Sequence, residues 1–239
     1  MIKEELIRRS PIRLFEKSIR GGLRPGEMGI VASQRGVGKT SVLVQIALDR
    51  LLQGGKVIHV SFAQASQKVF GWYQDIFEEF AGGQNLVGKE GVKDDIMKNR
   101  VLMNFNQSGM TLDTIAKSLG ALIRDGGFSA DALIVDGFDF SLASRDYVQR
   151  LKAFAAETGL SIWCNCTVNG GADGAEAPRY DEERMPVAVK GFADLIDVAV
   201  VLEPASDCVE LSVSKARGEP VAALPTARLD PRTLLILES

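Results

Sequence analysis

The sequence predicts an α/β fold in which a mostly parallel central sheet is flanked by helices and finished by an antiparallel C-terminal hairpin. Three observations predict it. Short apolar runs of strand character alternate with segments of helical period. A glycine-rich loop separates the first of these runs from a helical segment. Beyond Leu160 the alternation gives way to closely spaced runs of β type. Alternating strands and helices are the pattern of a parallel sheet with crossover helices. The chain has 239 residues, of which 46% are hydrophobic and 25% charged, enough for a single fold to bury most of its unfolded surface. Residues 1–239 are therefore read as one nucleotide-binding domain, with 1–25 as an N-terminal arm and lead-in.

Each element has a local reason. The apolar runs fall at residues 28–32, 56–62, 100–105, 132–135, 160–164 and 198–202. Residues 41–52 place Val42, Leu43, Ile46, Ala47 and Leu51 on one helical face and stop at Gly54-Gly55, a helix C-terminal signal. Residues 64–80 repeat Val69, Trp72, Tyr73, Ile76, Phe77 and Phe80 at spacings of three and four, an amphipathic helix whose aromatic face belongs in the core. Helices follow at 111–124, with Thr111 as N-cap, and at 144–157. Runs 198–203 and 209–214 flank the turn-forming Pro204 to Asp207 and read as the hairpin, with 233–237 as a last strand. Residues 82–91 and 169–186 read as loops.

Composition bounds the setting. Net charge is −3, so any basic surface for nucleic acid must be local. Three cysteines without framework spacing fit a reducing compartment. The N-terminus carries charge where a signal peptide needs an apolar core, and no apolar run is long enough to span a bilayer. These features predict a cytoplasmic protein that does not enter membranes.

The chemistry concentrates at Ser33-Gln34-Arg35-Gly36-Val37-Gly38-Lys39-Thr40, which follows the first strand and opens the helix at Ser41. That is the setting a phosphate-binding loop requires. Gly36 and Gly38 let backbone N–H groups turn onto phosphates at the positive end of a helix. Lys39 would meet β and γ oxygens of ATP, and Thr40 would hold Mg²⁺. Ser33 stands where the loop pattern has glycine. Arg35 reads either as a phosphate contact or as a solvated surface charge. The apolar strand Ala132 to Asp136 ends in a carboxylate able to orient the Mg²⁺ shell through water. Asp139 reads either as a group near an attacking water or as a cap on the next turn.

With these parts in order, the chain resembles the RecA superfamily, in the branch containing KaiC, RadA and the ATPase domains of DnaB-type helicases. Gly21-Gly-Leu-Arg-Pro-Gly-Glu27 is similar to the branch's lead-in, and Lys56 to Ser61 to its second strand. The stretch from Gly191 to Leu202, followed by Ser212-Val-Ser-Lys-Ala-Arg-Gly218, is similar to its ending. The resemblance implies a RecA-like P-loop NTPase forming a ring or filament. In it, Lys215 and Arg217 would reach the neighbouring subunit's nucleotide, and Thr167 would sense the γ-phosphate. The family's general-base glutamate falls at Ala63, beside Gln64, which can only orient a water by hydrogen bonding. The resemblance thus predicts ATP and Mg²⁺ binding with slow or absent hydrolysis, and a nucleotide-gated regulatory or assembly role as a homo-oligomer, with a protein partner possible.

Two other functions stay in view. One is an active DNA-dependent ATPase, favoured by Arg8, Arg9, Arg13, Arg20 and Arg24 but opposed by the acidic loop 169–186, which would repel a phosphate backbone. The other is a small-molecule kinase, for which no arginine-bearing lid is visible. Cys164, Cys166, Cys208 and His59 nominally supply four zinc ligands, though scattered cysteines and one histidine are the mark of packing groups.

Overall fold

The structure is a computed structural model that describes residues 2–19, 21–62, 65–82, 88–105, 112–168, 179–221 and 225–237. Two short helices, α1 (Ile2–Arg8) and α2 (Ile12–Ser18), precede β1 (Met28–Ser33) and α3 (Lys39–Leu52). Then come β2 (Val57–Ser61), α4 (Ser66–Gly82), α5 (Lys89–Met97), β3 (Arg100–Asn104) and α6 (Leu112–Gly120), which runs on into a π-helical turn at Ala121–Asp125. β4 (Ala132–Asp136), α7 (Arg145–Thr158) and β5 (Ser161–Thr167) complete the alternating part. A 3₁₀ segment at Val187–Leu195 leads to β6 (Val198–Pro204), β7 (Val209–Ala216), β8 (Glu219–Pro220), β9 (Pro225–Leu229) and β10 (Ile236–Leu237).

The strands form one sheet in the order β3-β2-β4-β5-β1-β6-β7-β9-β10, with β8 paired to β7. From β3 to β6 every pairing is parallel, and from β6 onward every pairing is antiparallel. The mostly parallel sheet and the C-terminal hairpin are as the sequence predicts. In the hairpin, Pro204 pairs with Val209, next to the turn the proline marks. β1 lies at the centre with both neighbours parallel, so its C-terminal end opens into the crevice where an α/β sheet binds ligands.

One sheet face carries α1 to α5 and the other α6 and α7. α3 is buried on nearly every side, from Val42 to Leu52, which fixes the loop preceding it. The aromatic stripe of α4 is a core face, with Val69, Tyr73, Ile76 and Phe77 buried. Gly29 has no room for a side chain, because a Cβ there would sit 2.6 Å from the Trp163 ring.

Some elements differ from expectation. The segment read as an arm is helical and packed into the core: Leu6, Ile12, Phe15 and Ile19 are buried, and the Phe15 ring lies 5.8 Å from that of Trp163. Arg8 and Arg9 pair with Glu5, and Arg13 pairs with Glu16 and with the buried Asp49. These arginines are thus engaged by neighbouring acids. The loop read at 82–91 contains the start of α5, which begins after Gly88 at φ +92°. The last strand is shorter than 233–237, because Asp230 holds a turn, accepting from Thr233 Oγ1 at 3.1 Å and, through its carbonyl, from Leu234 N at 2.8 Å. Thr111 lies outside the described residues, whereas Ser144 caps α7 by accepting from Tyr147 N at 3.1 Å.

Candidate functional site

β1, β4 and β5 end together, and their last residues carry the polar groups of the site. Leaving β1 at Ser33, the chain turns through Gly36 at φ +83° and Gly38 at φ +117°, then enters α3 at Lys39. Both glycines occupy the left-handed region that side chains avoid. Gly38 is also covered: a Cβ there would lie 2.5 Å from Leu229 Cδ2 on β9. The N–H groups of the first turn of α3 lack helical partners, so the loop and helix end form an anion cradle.

Lys39 is buried and folded back over the loop, its Nζ donating to Gln34 O at 2.7 Å, Ser33 O at 3.0 Å and Ser33 Oγ at 3.3 Å. Burial pushes its pKa down to about 8, with nearby Asp136 among the groups acting the other way. Thr40 Oγ1 donates toward both carboxylate oxygens of Asp136, each at 3.2 Å. Asn165 Nδ2 donates to Asp136 Oδ1, and Asn165 Oδ1 accepts from Gly137 N at 2.7 Å. Burial raises the Asp136 pKa to about 6, while Thr40, Lys39 and Asn165 pull it down. A hydroxyl and a carboxylate side by side at a glycine cradle are a donor set that fits Mg²⁺ with a phosphate chain, hydroxyl direct and carboxylate through water.

The other expected residues fall as follows. Ser41 Oγ donates to Gly38 O at 2.7 Å and so braces the loop. Gln34 offers its carbonyl to Lys39 and leaves its side chain exposed. Arg35, Val37 and Thr167 line the cavity above the loop. Asp139 caps the turn after β4, accepting from Ser141 N at 2.9 Å and Ser141 Oγ at 2.7 Å. Ala63 and Gln64 lie outside the described residues. Lys215 and Arg217 stand at the opposite end of the sheet, since β7 runs antiparallel to β6 and ends beside the start of β1. Lys215 Nζ donates to Ala193 O at 2.7 Å, and desolvation lowers its pKa. Arg217, in a turn at φ +54°, donates to Glu27 Oε2 at 2.6 Å and to the carbonyls of Gly21 and Gly22, both at 3.2 Å. The two cations therefore hold different partners within their own chain. Cys164, Cys166 and His59 are buried in the sheet, and no group of three or more metal-ligating side chains occurs among the described residues.

The cavity over the loop measures about 910 Å³. On the side of β6 to β10 its wall is apolar, formed by Pro204, Val209, Leu229, Pro231 and Leu234; on the side of α4 it is closed by Lys68 and Trp72. Sequence reasoning missed this apolar wall, because Leu229 and Leu234 lie in short runs broken by prolines and an aspartate. It also chose Thr167 over Asn165, although both sit on one face of β5, and only the register against β4 shows that Asn165 meets Asp136.

No protein-family model matches the chain, and no curated protein matches it. Among solved structures, the ATPase domain of a DnaB-like helicase superposes with a TM-score of 0.69 at 11% identity, covering 96% of this chain and 90% of that one. At that identity the likeness establishes the fold, which is RecA-like. Among the described residues no helix is long and apolar enough to cross a membrane.

Proposed function

We propose that the chain binds ATP with Mg²⁺ at the Ser33–Thr40 loop, hydrolyses it slowly, and uses the bound nucleotide to gate assembly with copies of itself or with a protein partner. The observation that carries this reading is the convergence of Lys39, Thr40, Asp136 and Asn165 on one glycine cradle at the ends of three adjacent parallel strands. In this reading the apolar wall takes the base, loop N–H groups take the phosphates, and Lys39 leaves the Ser33 and Gln34 carbonyls for the β and γ oxygens. Thr40 and Asp136 would hold Mg²⁺, which neutralises charge on the phosphate oxygens when bound. Asn165 keeps Asp136 oriented. Slow turnover rests on the sequence at Ala63, where the resembling family places its general base.

Assembly through Lys215 and Arg217 would require Arg217 to exchange Glu27 for a neighbour's phosphate, an exchange that fits a gate. DNA binding is disfavoured by the net charge of −3 and by Asp181, Glu182 and Glu183 in the strand-connecting loop. Three free cysteines suit a cytoplasmic setting. Calorimetry tests the core of the proposal. Lys39→Ala should weaken ATP binding by roughly ten- to a hundredfold, as expected for a charge-assisted bond to phosphate. Unchanged affinity would sink the assignment.

A further inference from the structure

We propose that Lys68 recognises the γ-phosphate from within the same chain, so that a single subunit distinguishes ATP from ADP. This rests on the nucleotide reading above and extends it to a residue outside the loop and strand motifs.

The direction of a bound triphosphate follows from the sheet order. The apolar wall of β6, β7 and β9 lies on one side of β1, whereas β4, β2 and the helix after β2 lie on the other. With the base against the apolar wall, the phosphate chain crosses the glycine cradle and its far end points past Asp136 toward α4. Lys68 lines that end of the cavity from the first turn of α4. Its neighbour Val69 is buried in the core, which fixes the base of the side chain, while the ammonium end is exposed.

Charge supports the same assignment. Arg35, Lys39 and Lys68 are the cations lining the cavity, and Asp136 and Asp139 the carboxylates. Lys39 is satisfied by loop carbonyls, and the Asp139 carboxylate by Ser141. The Lys68 ammonium has no side-chain partner among the described residues, and it is the cation on the γ side. A lysine suits the task, because three rotatable donors on a long stem can follow a terminal phosphate without fixed geometry. Arg217, the alternative γ-phosphate ligand, is held by Glu27 in its own chain.

The test is calorimetric titration of Mg²⁺ with ATP and with ADP into wild type, Lys68→Ala and Lys68→Arg, with melting curves to show that the exposed substitutions leave the fold intact. Lys68→Ala should lose roughly five- to twentyfold in ATP affinity, less than a fully buried pair would, with ADP affinity changed less than about twofold. Lys68→Arg should restore most of the difference. An unchanged ATP-to-ADP ratio in Lys68→Ala, alongside ATP binding that still depends on Lys39, overturns this inference alone. ATP binding that ignores Lys39→Ala overturns the nucleotide reading and this inference with it.

Discussion

His59, the only histidine in the chain, should make the fold lose stability as the pH drops through the mid-sixes. It is fully buried on β2, with Nδ1 3.0 Å from the Tyr73 hydroxyl, and the Arg100 guanidinium lies 4.2 Å from the centroid of the Tyr73 ring. Burial, and secondarily the charge of Arg100, lower its pKa from 6.5 to about 3. The folded chain therefore keeps a neutral imidazole where the unfolded chain takes up a proton. A depressed histidine pKa contributes stability that is whole above 6.5 and drains away as the pH falls toward about 3. At pH 5.5 the loss is about 1.4 kcal/mol, or about 3–6 °C in melting temperature for a chain of this length. Asp136, with its pKa raised to about 6, acts in the opposite direction over the same window: folding takes up its proton, so acid stabilises. A difference between proteins removes that contribution. Urea unfolding of wild type and His59→Gln at pH 7.5, 6.5 and 5.5, without nucleotide, is the assay; glutamine retains an acceptor for Tyr73 but cannot titrate. The free-energy gap between the two proteins should shift by about 1.4 kcal/mol toward the variant between the extremes. A gap that stays constant with pH would refute the reasoning, as would an imidazole titrating near 6.5 in the folded protein by NMR.

Three further outcomes follow from the geometry. Gly38→Ala should destabilise the fold by about 1–3 kcal/mol and impair ATP binding, because its Cβ meets Leu229 at a backbone angle side chains avoid; melting and calorimetry with normal values for both would count against the loop assignment. Arg217→Ala should leave the subunit's ATP affinity within about twofold, yet cost about 1–2 kcal/mol of stability through the lost Glu27 pair. Light scattering should show that it also abolishes the extra mass induced by ATP but not ADP, and an identical ATP response would remove Arg217 from the assembly role. Ala63→Glu should raise ATP turnover, by up to about 10²- to 10⁴-fold if general-base geometry is recovered; a wild type already turning over at about 1 per second or faster contradicts the slow-hydrolysis reading.

The centre of the molecule was legible because its residues carry unambiguous signals. The run at 28–32, the glycines, Lys39 and Thr40 can make little else, and an apolar strand ending at Asp136 completes the pair. The C-terminal wall was not legible, since Pro225, Pro231 and Asp230 break the alternation that would have revealed β9 and β10. The first two helices were hidden for another reason. Each spans only seven residues, too short to show a period, and each is helical because tertiary packing of Leu6, Ile12 and Phe15 holds it so. Asn165 and Lys68 illustrate the limit of periodicity, which assigns a residue to a face but cannot say what stands across from it. The strand-end spacing of Lys215 and Arg217 suggested one shared direction, yet Arg217 sits past the strand in a positive-φ turn where alternation no longer governs.

Gln45 on α3 donates to Leu234 O at 2.8 Å and accepts from Ile236 N at 2.9 Å, a clasp between residues 189 and 191 positions apart. Together with Leu229 over Gly38, it means that the phosphate cradle made early in synthesis acquires its lid late. A growing chain can close its parallel sheet through β5 and still present an uncovered loop. Contacts of such long sequence separation form slowly. Nucleotide would then find its apolar wall only once β9 and β10 have left the ribosome and docked, so the cradle gives no head start to the nascent polypeptide.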